Sequence, residues 1–332
     1  MSHYLWIMGH PADARARSDE AQAVGQALAD GALVIAASLY RGYSCHLLGD
    51  YRGAEEALRR VIASLEGDLQ RQFLGLSGPP AVLSRYNLAR ALAERGAFGE
   101  GMSHGQEAIR IAEELDPAYS LGLACWALAE LHAAKGELAE AIPFLERAFA
   151  LSRDRTLVLL SPFVTHLLGY VRALSGDTAR GLELLRQGVE LHRSQGRLSA
   201  RPIILGHLGE ALLLAGRHDE AATSAEHALG LARERGLRGQ EAHALRLVAE
   251  IASRRAPPEA EKAEAHYGQA LALASELGMR PLVAHCHLGL GRLYRGTGAR
   301  APGSERPSTW PRPRRSTARW TWASGSRRPR RS

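Results

Sequence analysis

A glycine closes an apolar helical stretch and opens a short turn at Gly9, Gly49, Gly96, Gly136, Gly176, Gly216 and Gly298, in steps of 40, 47, 40, 40, 40 and 82 residues. A fixed period of this length marks an array of stacked supersecondary units. The step of 47 contains an insertion, Asp68–Pro80, and the step of 82 is two repeats plus two residues carried by the loop Arg255–Lys262. Five residues after the turn glycines stand Ala14, Ala54, Gly101, Ala141, Gly181 and Ala221. Seven residues further on stand Ala21, Val61, Ala108, Ala148, Gly188 and Ala228, and the unit without a turn glycine supplies Ala263 and Ala270. Small residues at i and i+7 share one helix face and let a neighbouring helix approach closely. A third series of mostly small residues, Gly42, Ala89, Ala129, Gly169, Gly209, Ala249 and Gly291, precedes the turn by seven.

Leu-Gly, then an aromatic or apolar residue, then Gly-Asp-Tyr and Ala is the tetratricopeptide pattern. HLLGDYRGAEEALRRVI at His46–Ile62 is its cleanest copy. The expected fold is all-α: a right-handed superhelix of paired antiparallel helices with a period of about 40 residues. It spans residues 1–298, with about seven to eight repeats of which the first and last are incomplete. Only 6% of residues are aromatic, and Ala, Leu, Arg and Glu dominate, which favours helix over sheet. A period beyond the usual ~34 residues adds close to a turn to each helix.

Both ends break the pattern. Met1–Met8 is a short apolar remnant of a first helix, as if the array were truncated there. Residues 299–332 hold ten Arg, one acid (Glu305), five Pro and three Trp, but no Leu, Ile, Val, Met, Phe or Tyr. Nothing there can pack as the missing helix. Three readings compete: a basic arm with Trp310, Trp320 and Trp322 as stacking groups, a disordered tail, or translation in a shifted frame. The favoured one is the shifted frame, because 40 Arg against two Lys suggests GC-rich coding DNA. Incomplete ends should expose apolar faces and promote self-association.

The net charge of +7 resides in that tail, whose own charge is +9, leaving about −2 for residues 1–298. A near-neutral body lacks the electrostatic footprint of a nucleic-acid binder, so nucleic acid is not an expected partner. No apolar run reaches the ~18 residues that span a bilayer, and no basic segment precedes the short apolar start. Cys45, Cys125 and Cys286 are scattered without a CxxC, which suits reduced thiols in a cytoplasmic helical core.

Motifs for chemistry are weak. The only lysines, Lys135 and Lys262, precede Gly136 and Ala263, so no phosphate-binding GK[ST] exists. Gly289-Leu-Gly291 falls short of GxGxxG because Tyr294 occupies the third position. GMSHG at Gly101–Gly105 fits a nucleophile elbow in letters, but the register puts both glycines on a helix-packing face, not on a strand-to-helix turn. His285-Cys286-His287 places two histidines at i and i+2, on opposite sides of a helix; one facing the groove and one in the packing is the expected picture. The chain is therefore read as a non-enzyme, with no catalytic, cofactor-binding or metal residues and no cofactor.

A protein or peptide partner would lie in the concave groove lined by the first helix of each pair. The inward positions are Leu39 and Tyr43, Tyr86 and Arg90, Trp126 and Glu130, His166 and Tyr170, Gly206 and Glu210, Arg246 and Glu250, and Leu288 and Arg292. The first four pairs are rich in aromatics and the later ones charged; aromatics and Arg make strong anchors. Neither lysine falls at an inward position, which disfavours a carboxylate clamp for chaperone tails.

The segments LLGDYRGAEEALRRVIASLEGDL, GLSGPPAVLSR, AIPFLERAFAL, LGEALLLAGRHDEA, EAHALRLVAEIA and AEAHYGQALALASELGMRPLVAHCHLGLGRLY together resemble the C-terminal repeat region of large bacterial signalling proteins. Those proteins join an adenylate or guanylate cyclase domain to a P-loop ATPase module and a tetratricopeptide superhelix. The resemblance implies a regulatory scaffold without the cyclase and ATPase domains, so no nucleotide or metal residue carries over. The alternative is the effector-sensing superhelix of a maltose-activator-like transcriptional regulator.

Overall fold

The computed structural model describes residues 1–115 and 118–297. Residues 298–332, and with them Gly298 and the Arg- and Trp-rich segment, lie outside the described residues. Fifteen α-helices follow one another among the described residues: α1 (Ser2–Ile7), α2 (Pro11–Ala27), α3 (Gly31–Leu48), α4 (Tyr51–Ser64), α5 (Pro80–Glu94), α6 (Phe98–Leu115), α7 (Ala118–Lys135), α8 (Leu138–Asp154), α9 (Ser161–Leu174), α10 (Thr178–Ser194), α11 (Arg201–Leu214), α12 (His218–Glu234), α13 (Arg238–Arg254), α14 (Ala260–Leu277) and α15 (Arg280–Thr297). The insertion after α4 holds a single 3₁₀ turn, Gly67–Gln70. Odd-numbered helices from α3 onward are the first members of their pairs and even-numbered ones the second. The expected all-α tetratricopeptide superhelix is the fold observed.

Local sequence explains the elements. Gly49, between α3 and α4, has φ +81°, a left-handed conformation that lets its N–H close the helix end. Asp50 then caps α4, its Oδ1 accepting from Gly53 N at 2.9 Å. Asp177 does the same for α10. Proline opens α2, α5, α9 and α11, where its missing N–H costs nothing. Most members of the three small-residue series lie at the crossings, whereas Gly291 is exposed with nothing within 4 Å of its Cβ position. Ala14, Ala54, Ala141 and Ala221 are wholly buried, and a Cβ on Gly101 would stand 2.6 Å from Leu131 Cδ1.

The 40-residue register appears directly in contacts between equivalent positions of successive repeats: Arg90 pairs with Glu130, and Tyr170 Oη donates to Glu210. Across the 47-residue step, Tyr43 Oη donates to Leu83 O and Arg95 pairs with Glu55, which joins positions that are not equivalent. Each first helix packs on its own second helix and on the first helix of the next repeat, so α3, α5, α7, α9, α11, α13 and α15 form the inner wall.

The coil completes a turn and meets itself. α3 packs on α13 and α5 on α15. Arg280 Nε donates to Arg95 O at 2.7 Å, Arg235 Nη1 donates to Met8 O at 3.0 Å, and His243 Nε2 lies 3.2 Å from Glu94 Oε2. The seam is tight at Gly239, where a Cβ would fall 2.0 Å from the Tyr51 hydroxyl. Gly239→Phe should therefore prise the two turns apart while leaving each helix pair intact. Small-angle scattering should then show a larger radius of gyration at unchanged helical circular dichroism; an unchanged radius would mean that the seam absorbs the ring.

The short α1 is not left hanging. Its Ile7 carbonyl accepts from both Leu198 N and Ser199 N at 3.2 Å, and Trp6 is half-buried against Tyr43 at 5.6 Å between ring centres. Met1 and Tyr4 remain exposed.

Candidate functional site

The inner wall encloses a channel with two connected sectors. Towards the N-terminal repeats lies a cavity of about 70 Å³ walled by aromatics; towards the C-terminal repeats lies one of about 250 Å³ walled by Arg, Glu and His. Arg90, Glu130, Ile203 and Gln240 line both and form the junction.

All of the inward positions named from the sequence lie on this channel. Leu39, Tyr43, Tyr86, Trp126 and His166 line the aromatic sector. Tyr170, Gly206, Glu210, Arg246, Glu250, Leu288 and Arg292 line the charged sector, and Arg90 and Glu130 touch both. They share a wall because 40 residues return the chain to the same face of the next pair.

The charged sector is a ladder. The Arg90 guanidinium lies 4.4 Å from the Trp126 ring centre and its Nε pairs with Glu130 at 2.5 Å. Glu210 Oε2 accepts from both Tyr170 Oη at 3.1 Å and Arg246 Nη2 at 3.0 Å. Glu250 accepts from Tyr267 Oη and from Arg254, each at 2.5 Å. Burial alone would raise the Glu250 pKa, but the Tyr267 hydrogen bond and the charges of Arg254 and Arg246 outweigh it and hold the carboxylate ionised. Tyr170 stacks flat on His207 at 3.8 Å. Cationic and anionic side chains thus alternate along the wall, and none of these pairs is fully solvated.

Four histidines face this channel with little water around them. Burial is the main cause that pushes His46 down to about 3, His166 and His285 to about 4, and His207 well below the ordinary value; the nearby arginines push in the same direction. These imidazoles stay neutral in the folded protein, whereas the unfolded chain takes up protons below about pH 6.5. The proton balance makes stability flat above about pH 7 and lowers it as the pH falls from 6.5 towards 4, by up to about 1.4 kcal/mol per pH unit for each histidine. The urea midpoint should fall clearly between pH 7 and pH 5. A midpoint constant over that range would mean that the folded channel accepts the protons.

Periodicity alone missed several channel residues. Glu94 and Arg254 sit one helical turn beyond Arg90 and Glu250, so extending the inward register by four would have found them. His46, His207, His243 and His285 lie beside the inward positions on the same helices. Arg197 comes from a loop, and no period points to it.

The weaker motifs resolve structurally. Ser103 is exposed on α6 and its Oγ donates to Gly99 O at 3.2 Å; Gly101 and Gly105 face Leu131 and Leu128. His285 faces the channel and Cys286 is buried, but His287 is exposed rather than packed, because two residues along a helix turn it to the side of α15 away from the channel. Cys45 and Cys125 are buried as well, and burial raises all three thiols to about 11, against a reactive role. Among the described residues no helix is long and apolar enough to cross a membrane, and no cluster of three or more His, Cys, Asp or Glu could hold a metal ion.

Residues 123–155, which span most of α7 and α8, match the tetratricopeptide repeat family. No curated protein sequence matches the chain. Among solved structures, a Rap protein complexed with competence and sporulation factor is similar, with a TM-score of 0.65 and 15% identity over 90% of this chain and 80% of that one. The Cut9–Hcn1 hetero-tetramer of the APC/C aligns with a TM-score of 0.57 and 16% identity over 85% of this chain and 48% of that one. Aspartyl phosphate phosphatase F from Bacillus subtilis aligns with a TM-score of 0.50 and 9% identity over 82% and 74%. Together with the geometry, these likenesses establish a tetratricopeptide-repeat solenoid, a fold that generally serves as a non-catalytic scaffold.

Proposed function

We propose that the chain is a peptide-binding scaffold that takes an extended segment of a partner protein into the inner channel. One observation supports this above the others: first helices of seven successive repeats deliver aromatic anchors and alternating Arg–Glu pairs to one continuous wall. Such a wall offers rings for apolar side chains and both charge signs for backbone and polar groups. A Rap protein, of similar fold, is known in complex with competence and sporulation factor. On the resemblance noted above, the partner belongs to a bacterial signalling system in which a superhelix like this one restrains an ATPase or cyclase.

The test is a random-peptide display selection against the full chain, followed by titration of the selected peptides. Trp126→Ala and Arg90→Ala should each weaken binding at least about 30-fold, the loss of a hot-spot contact. Arg186→Ala, on the exposed face of α10, should not. Equal affinity for all three variants would place the partner outside the channel.

A further inference from the structure

The loop between α10 and α11 sends one arginine inward, and that arginine is buried without a carboxylate partner among the described residues. Arg197 is only 6% exposed. Its backbone is fixed by Arg197 N donating to His192 O and by the two bonds from Leu198 and Ser199 to Ile7 O. Its guanidinium stands 4.8 Å from the Phe163 ring centre, with the Tyr119 side chain beside it. Arg90, Arg246 and Arg254 each pair with a channel carboxylate. Arg197 pairs with none among the described residues; the groups that act on it are Tyr119 and Tyr86. A guanidinium taken out of water is costly unless an anion comes with it.

Two further donors line the same chamber. The indole N–H groups of Trp6 and Trp126 are shielded from solvent and have no acceptor. Trp6, Trp126 and Arg197 together wall a space of about 70 Å³ whose remaining walls include Tyr43, Tyr86, Glu130, Phe163 and Gln240. That volume suits one side-chain-sized group, not a folded surface. Gln240 Oε1 in the same wall is buried without a donor and Glu130 is taken by Arg90, so the selecting group is the unpaired cation Arg197: guanidinium geometry matches a carboxylate through paired N–H bonds.

We infer that this aromatic chamber is a carboxylate receptor: it takes an apolar group bearing a carboxylate, supplied by the C-terminal residue of the channel-bound peptide, with its side chain on the rings and its carboxylate on Arg197. The source of the carboxylate rests on the peptide-binding reading; the chemistry of the receptor does not.

Calorimetric titration of the full chain with three probes separates the two. The probes are N-acetyl-Ala-Ala-Phe as free acid, the same peptide as C-terminal amide, and 3-phenylpropionate. The free acid should bind at least about 30-fold more tightly than the amide. Arg197→Gln should abolish that difference, and Arg186→Ala should keep it. Arg197→Lys, which keeps the charge and loses the paired N–H geometry, should reduce the acid preference several-fold and serves where Arg197→Gln does not fold. Equal binding of acid and amide overturns the receptor and leaves the peptide channel standing. Binding of 3-phenylpropionate without either peptide supports the receptor, with a small free acid as its ligand, and removes the peptide reading. No binding of any probe at millimolar concentration overturns the inference.

Discussion

Gly181→Val is expected to lower the stability of this protein by roughly 3 kcal/mol or more, among the largest effects of any single substitution. At the crossing of α9 and α10 the two backbones nearly touch. A Cβ on Gly181 would lie 2.7 Å from Ala173 N, Ala173 Cβ and Gly169 O; a Cβ on Gly169 would lie 2.8 Å from Gly181 O and Leu185 N. These neighbours are main-chain atoms and one Ala Cβ, none of which can rotate aside, so the whole pair must separate. Separation opens the packing of Leu184 and Leu185 and lifts both adjacent repeats. The contrasting variant is Gly230→Ala. Its Cβ meets nothing within 4 Å on the exposed face of α12, so it should gain about 0.5–1 kcal/mol from helix propensity. Urea midpoints for both variants check the pair of predictions, and a valine tolerated at Gly181 would refute the close approach.

Arg246→Ala should cost about 2–3 kcal/mol. Breaking a fully buried pair costs roughly 3–5 kcal/mol. The Arg246 and Glu210 side chains keep 15% and 21% of their exposure, which calls for a discount. The loss leaves the Tyr170 hydroxyl as a donor to Glu210 and removes a positive charge that holds Glu250 ionised. Glu210→Gln alone should cost less, because an amide keeps a hydrogen-bond acceptor without a buried charge. A double-mutant cycle between the two positions should show a coupling of about 1 kcal/mol or more. Additive losses would show that solvent, not the partner, satisfies each group.

Much of this was readable before any coordinates. The turn glycines and the small-residue series specify helix pairs in a 40-residue register because each feature answers a local demand: a left-handed residue at Gly49, or a helix crossing too close for a side chain at Gly181. The inward positions follow from helical periodicity once the register is known, which is why residues from Tyr43 to Arg292 share a wall. Self-contact of the coil was not readable. It depends on a small rotation per repeat summed over seven repeats, and no local motif encodes that sum. Arg197 was hidden for a different reason: a loop residue has no period, and its importance comes from what surrounds it in space.

The seam between α3–α5 and α13–α15 has a consequence for traffic. A solenoid whose coil bites on itself bars passage at the seam until Arg280, Arg235 and His243 let go of their opposite numbers. A cargo leaving by that route stays for a time set by how often the clasp springs as well as by how tightly the lining grips.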